Sequence, residues 1–327
     1  MIKRCSGCGI VLQDIDSNKD GYVDDINKDL CERCFRLRYY GVYKNTSKDN
    51  SSFEKVLDKI NNDDLVVFVV NILNLNLDLL SKFKRVLLVI TKRDLLPKSI
   101  KDYKIIKYIE NMSIHNVVDI EVVSSIKNYN LDSLYNKINK YNKTGYAYLV
   151  GNTNSGKSTL LNKIIKNYTS LNPNITESMY PSTTLDKIDI VINDKLTIVD
   201  TPGIVSCGSV INYMDKKMLK KIIPKAEIRP ITFQLSGSGS LIIEDIIRVD
   251  YKTINTSMTV YMANNLKIRK LADSRSEFLD GIEYSFKLGK GMDIVIEDLL
   301  FMKFVSPIDV KIYSYDKYDV RSRDNLI

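Results

Sequence analysis

The chain has a single histidine, and His115 has no partner motif around it, so it is read as structural and histidine chemistry is set aside. A long apolar run is also missing. The most apolar stretch, residues 65–80, is interrupted by Asn71, Asn74, Asn76 and Asp78, and no apolar segment precedes the first cysteine in Met1-Ile-Lys-Arg-Cys5. Neither a membrane span nor a secretion leader is expected, and a cytoplasmic location is. Cysteine is scarce, with five in 327 residues, and four of these form two close pairs near the N-terminus. That usage suits a reducing compartment and a bound metal better than disulfides. No internal repeat is visible, and nothing resembles a haem, flavin or arginine-oxidising site.

The composition otherwise describes a soluble globular protein. It is 44% hydrophobic and 27% charged, and 327 residues exceed one typical core, so two or three domains are expected. The net charge of +8 and the pI near 9.0 fit a nucleic-acid partner, but the excess is spread along the chain and does not decide the matter alone.

A polar stretch, Lys44-Asn-Thr-Ser-Lys-Asp-Asn-Ser-Ser52, reads as a linker after the cysteine-rich start. An apolar run at 65–72 predicts a buried parallel strand, 86–91 another and 119–123 a third, with helices between them, one half of a doubly wound α/β sheet. The second half is predicted from a strand at 146–150, a helix from Lys157, and strands at 187–192 and 196–200 joined by an Asn193-Asp194 turn. Beyond residue 215 a lysine-rich stretch precedes short alternating segments, and a β-rich domain is expected. The predicted division is residues 1–45, 46–215 and 216–327.

Gly151-Asn-Thr-Asn-Ser-Gly-Lys-Ser158 has the form of a phosphate loop. Its glycines let backbone N–H groups turn in around phosphates, Lys157 supplies a point charge, Ser158 a magnesium ligand, and the helix behind directs its positive end at the anion. Asn152, Asn154, Ser155, Gly156, Lys157, Ser158 and Thr159 are the candidate nucleotide contacts. Asp200-Thr-Pro-Gly203 ends an apolar strand, so Asp200 is placed to hold magnesium through water and the Gly203 N–H to meet a γ-phosphate. Pro181-Ser-Thr-Thr-Leu185 lies where a first switch belongs, with Thr184 as its magnesium ligand and Thr183 a close competitor. Thr91-Lys-Arg-Asp94 reads as a base-recognition box, in which Asp94 accepts from the imino and amino groups of guanine and Lys92 lies across the base. Ser124 and Ser125 follow the next strand, positioned to offer a backbone N–H to the guanine carbonyl.

The base box therefore leads and the phosphate loop follows, the reverse of the usual succession. A doubly wound sheet gathers its ligand loops at the carboxyl ends of its strands, so the chain can be cut in one loop and rejoined elsewhere with the crevice intact. The glutamine that commonly follows the switch glycine is absent, replaced by Ile204. Asn154 is of the type and at the position to hold a potassium ion against the phosphates, or it simply caps the loop.

Cys5-x-x-Cys8 and Cys31-x-x-Cys34 have the paired-knuckle spacing of a tetrahedral zinc site, with two disulfides as the competing reading. Arg33, Arg36 and Arg38 alternate with Phe35, Tyr39 and Tyr40, a mixture that suits RNA or a solvated helix face.

Taken together these residues resemble the YqeH-type circularly permuted GTPases of ribosome assembly. The resemblance rests on Cys5, Cys8, Cys31 and Cys34 with Arg33-Cys34-Phe35-Arg36-Leu37-Arg38, on Thr91-Lys-Arg-Asp94, Gly151 to Ser158, Tyr180-Pro-Ser-Thr-Thr-Leu-Asp186, Asp200-Thr-Pro-Gly-Ile204 and Tyr261-Met-Ala-Asn264. It implies an N-terminal zinc module, a permuted Ras-like core and a C-terminal RNA-binding domain. It further implies magnesium-dependent GTP hydrolysis, potassium stimulation, and action on the small ribosomal subunit and its rRNA. Thr91 stands for the family's usual Asn, Ser182 for Gly and Ser125 for Ala. The alternative is a nucleotide-gated RNA scaffold with negligible hydrolysis.

Overall fold

The computed structural model describes residues 3–5, 11–17, 21–32, 35, 51–169, 188–271 and 277–327. Its elements run α1 (Ser51–Leu57), β1 (Leu65–Asn71), β2 (Val86–Thr91), α2 (Asp102–Glu110), β3 (Val117–Val122), α3 (Leu131–Tyr141), β4 (Tyr146–Gly151), α4 (Lys157–Tyr168), β5 (Ile188–Asn193), β6 (Leu196–Asp200) and α5 (Lys216–Ile222). The strands β7 (Ile231–Ile243), β8 (Ile247–Met262), β9 (Ile268–Leu271), β10 (Ile282–Leu288), β11 (Met292–Ile296), β12 (Leu300–Phe304), β13 (Ile308–Ser314) and β14 (Val320–Asp324) follow. The chain divides into two compact units, Met1–Arg93 with Ser113–Val205, and Asp94–Met112 with Ser206–Ile327. Residues 94–112 and 206–215 thus group with the C-terminal strands.

The first unit holds a six-stranded sheet in the order β3-β2-β1-β4-β6-β5. All neighbours are parallel except β5, which turns back antiparallel on β6. Every residue of β1 and β2 is buried, which is why both are apolar at all but their last position. Leu131, Leu134 and Ile138 of α3 and Leu160, Leu161 and Ile164 of α4 fall at helical spacing and share one core with Leu65, Val67, Val69 and Leu149. Burying each such side chain contributes about 1.5–3 kcal/mol. The chain steps outward through β1, β2 and β3, then returns to the middle of the sheet with β4. Two directions of winding therefore meet between β1 and β4, and the crevice at their carboxyl ends is the switch point where such sheets bind ligands.

The second unit is built on antiparallel strands in the order β10-β13-β8-β12-β11-β14, with β7 paired to β8 and β9. Its core gathers Leu241, Val249, Val260, Ile294, Met302 and Ile312 with Val210 and Ile222. Asp215 caps α5, its side chain accepting the Met218 N–H at 2.6 Å. The segment entering α5 is fastened to the strand loops. The Ser206 hydroxyl bonds the Glu297 carboxyl, Ser209 Oγ donates to Asp298 Oδ2 at 2.6 Å, and the Asp319 N–H donates to the Gly208 carbonyl at 2.8 Å. Tyr213 adds an edge-on contact to Tyr318, with ring centroids 5.5 Å apart. Among the described residues no helix is long and apolar enough to cross a membrane.

Candidate nucleotide site

β4 delivers the phosphate loop to the switch point. Gly151 has to be glycine because a Cβ there would lie 2.4 Å from the Val69 carbonyl oxygen of neighbouring β1. Asn154 and Gly156 take left-handed backbone angles (φ 62° and 93°), and α4 begins directly behind them. Lys157 is buried at its first position, and Ser158 and Thr159 follow. Beside the loop, Asn71 and Asn74 at the end of β1 line a small cleft with Asn152, Thr153 and Ser155.

The strand β6 brings Asp200 against Lys157. Nζ lies 3.4 Å from Asp200 Oδ1 and donates to the Thr201 carbonyl. Burial pushes the Lys157 ammonium down from its ordinary value, and the Asp200 carboxylate beside it works the other way. The switch box is laced to the loop. The Thr153 N–H donates to the Ile204 carbonyl at 2.8 Å, the Ile204 N–H to the Gly151 carbonyl at 3.1 Å, and the Thr201 hydroxyl to the Leu149 carbonyl at 2.9 Å. A Cβ on Gly203 would sit 3.3 Å from Thr153 Cγ2, so the switch glycine lies directly over the loop.

The base box reaches the same loop from β2. The Thr91 hydroxyl bonds the Ser155 carbonyl and lies 3.1 Å from the Val70 carbonyl. Lys92 takes a left-handed φ of 61°, and the Arg93 N–H donates to the Val123 carbonyl at 3.1 Å, which sets the end of β2 against the end of β3. There Ser124 and Ser125 are buried, and a tight turn closes by mutual backbone bonds between Ser124 and Tyr129. Asn128 and Asn130 supply its left-handed positions. Asp94 lies in a short 3₁₀ turn, Arg93–Leu95, and groups with the second unit.

Of the predicted site residues, the structure brings together Thr91, Asn152, Ser155, Gly156, Lys157, Asp200 and Gly203. Thr184, Thr183, Cys8 and Cys34 lie outside the described residues. Among the described residues no three His, Cys, Asp or Glu side chains gather as a metal site. Thr201 and Thr153 were not singled out from the sequence, because the Lys157 and Ile204 bonds to them use backbone carbonyl and amide groups that any residue carries, and the Thr201 hydroxyl bond to Leu149 is set by tertiary packing. The N-terminal segment buries Cys5 and Cys31 with Leu12 and Val23, and the Cys31 N–H donates to Cys5 Sγ at 3.2 Å.

Residues 146–264 match a family described as 50S ribosome-binding GTPases. The match opens on β4 rather than β1, as the rotated order requires. The chain is 34% identical to YqeH of Bacillus subtilis (strain 168) over 281 residues, spanning 81% of this chain and 77% of that protein. It is 34% identical over 187 residues to the small ribosomal subunit biogenesis GTPase RsgA of Clostridium botulinum (strain Langeland), spanning 54% of this chain and 59% of that protein. It is 26% identical over 279 residues to NO-associated protein 1 of Arabidopsis thaliana, spanning 72% of this chain and 49% of that protein. The chain thus covers less than two thirds of the last two relatives. With its boxes in rotated order and its length shared with YqeH, the chain belongs to the YqeH family of circularly permuted P-loop GTPases.

Proposed function

We propose that this chain hydrolyses GTP with magnesium and that the nucleotide state governs its hold on ribosomal RNA during assembly of the small ribosomal subunit. The observation that carries the reading is the lacing of the Asp200 box to the phosphate loop, with Lys157 drawn in against Asp200. A bound triphosphate takes Lys157 over from Asp200 and Thr201. The backbone N–H groups of the loop cradle its oxygens, and the Gly203 N–H meets the γ-phosphate. Asp94, Lys92, Ser124 and Ser125 hold guanine.

Ser158 and Asp200, with Thr184 from the first switch, offer the hard oxygen donors magnesium takes, which fits them to that ion. Magnesium supplies neutralisation of the charge that develops on the phosphates. Ile204 is apolar and 8% exposed and cannot orient a water, so Asn154 at the exposed rim of the loop takes part by holding potassium. Cys5, Cys8, Cys31 and Cys34 hold zinc. The support is the burial of Cys5 and Cys31, the amide directed at Cys5 Sγ, and an apolar cluster too small to order the segment alone.

Only Ile204 and Val205 separate the switch Gly203 from Ser206, which is already fastened to Glu297 in the C-terminal unit. A change at Gly203 is therefore passed along two residues of chain to the proposed RNA-binding domain. The name of RsgA supports the small subunit, while the matched family's description names the 50S particle. Sedimentation of the full chain with ribosomal particles distinguishes them. Co-migration with small-subunit particles under a non-hydrolysable GTP analogue, lost under GDP, is expected. Equal co-migration in both states defeats the coupling, and migration with large-subunit particles defeats the choice of partner.

A further inference from the structure

Two basic stretches far apart in the sequence, residues 216–225 and 267–270, take no part in the nucleotide site, and the fold sets them side by side within the second unit. In α5 the core takes Ile222, with Met218 and Leu219 packed against it, which leaves Lys217, Lys220 and Lys221 at spacings of three and four on the outer side. β9 pairs with β7 alone and is an edge strand, with Lys267, Arg269 and Lys270 exposed along it. Glu244, in the turn between β7 and β8, fastens the two. Its Oε1 accepts the Lys267 N–H at 3.1 Å, its own N–H donates to the Lys267 carbonyl at 2.8 Å, and its Oε2 lies 3.5 Å from Lys221 Nζ. The Asn264 side chain makes a second tie, accepting the Arg229 N–H at 2.8 Å and donating to the Glu227 carbonyl at 2.9 Å. The chain leaving α5 is thereby held to the chain leading into β9.

The acids nearby are already engaged. The Glu244 side chain is 10% exposed, and Asp245 and Glu277 lie 3.9 and 3.7 Å from Arg269. Among the described residues none of Lys217, Lys220, Lys225, Lys267 and Lys270 is in an ion pair. Lysine on an edge strand also blocks pairing with another sheet, but that role does not call for a second basic element fastened beside the strand. We propose that α5 and β9 form one surface that holds the phosphate backbone of RNA, with Glu244 and Asn264 as the residues that position the two elements. The proposal rests on the RNA reading above and gives it a place in the C-terminal unit. Ammonium groups act on phosphate as point charges and read no base, so the binding is tolerant of sequence and steep in salt.

The test uses the full chain and a fluorescent transcript of small-subunit ribosomal RNA, with Kd measured between about 0.05 and 0.2 M salt. One variant combines Lys217→Gln, Lys220→Gln, Lys267→Gln and Lys270→Gln. A control loses the same charge at exposed lysines elsewhere in the unit, through Lys252→Gln, Lys287→Gln, Lys290→Gln and Lys317→Gln. The first variant is expected to weaken binding roughly 100-fold at about 0.1 M salt and to lower the slope of log affinity against log salt by about 3. The control should stay within about threefold of wild type, as should Lys→Arg at the first four positions. If the fourfold variant does not fold, Lys217→Gln with Lys270→Gln replaces it, with about half the change in slope expected. Equal losses in variant and control, or an unchanged slope in the variant, overturn the proposal. Loss of co-sedimentation with small-subunit particles at unchanged affinity for the naked RNA assigns the surface to a protein and also overturns it. A wild type that binds no RNA overturns the RNA reading itself, and this proposal with it.

Discussion

Ile204, which follows the switch glycine, is apolar and buried, and Asn154 is exposed in the loop with a left-handed backbone. If Asn154 supplies the missing electrostatic assistance through potassium, Asn154→Ala loses roughly 100-fold in kcat with potassium present. GDP affinity should stay within about threefold, and the rate should no longer differ between potassium and sodium. An unchanged rate assigns Asn154 to loop capping. Glu297 carries a second residue-scale prediction. Burial pushes its carboxyl up to about 7, Asp298 and Asp319 add to the rise, and the Ser206 hydroxyl and Arg321 oppose it. A folded value above the unfolded one contributes stability that is complete below the ordinary value near 4.5 and is lost as pH rises through about 7. Asp293, pushed up to about 6 by burial, acts in the same direction. Denaturant midpoints at pH 5.5 and pH 8 should therefore fall less in Glu297→Gln than in the wild type, and identical falls would show that Glu297 is ionised throughout.

At the scale of elements, β4 and its loop have little tolerance. In Gly151→Ala the new Cβ meets the backbone of β1 rather than a movable side chain, so a loss of about 1–3 kcal/mol is expected in denaturant unfolding. A variant as stable as wild type would mean that β1 yields. The bounds of β2 coincide with its apolar run, because a buried strand between parallel neighbours must be apolar at nearly every position. β3 begins at Val117, ahead of the predicted start at residue 119: Val117 and Val118 are half-buried, so local burial did not mark the beginning. The long β7 and β8 hairpin was harder to read. Its Ser-Gly-Ser-Gly-Ser stretch has the composition of a turn, yet it runs as strand because the Tyr251 ring takes the space above Gly239, where a Cβ would lie 2.4 Å from the phenol oxygen. The fastening of Ser206 and Ser209 to Glu297 and Asp298 had no sequence signal, since partners about 90 residues apart are set by tertiary packing. The site was legible where motif chemistry demands particular residues, at Gly151, Lys157 and Asp200. It was illegible where tertiary packing sets the contact, as in the Thr153 N–H bond to Ile204 and the Thr201 hydroxyl bond to Leu149.

At the scale of the whole molecule, permutation changes what the boxes lead into. The switch box runs almost at once into a segment that belongs to the C-terminal unit, and the base box does the same through residues 94–112. All of this depends on segments far apart in sequence serving one guanine nucleotide. The direct test is titration of the full chain and of Lys157→Ala and Asp94→Asn with fluorescent GDP, with unlabelled GDP and ADP as competitors. The account predicts that wild type prefers GDP over ADP by at least roughly 100-fold, that Lys157→Ala loses both, and that Asp94→Asn loses the preference for guanine. An Asp94→Asn variant with the wild-type preference, beside a Lys157→Ala variant that binds nothing, would contradict it.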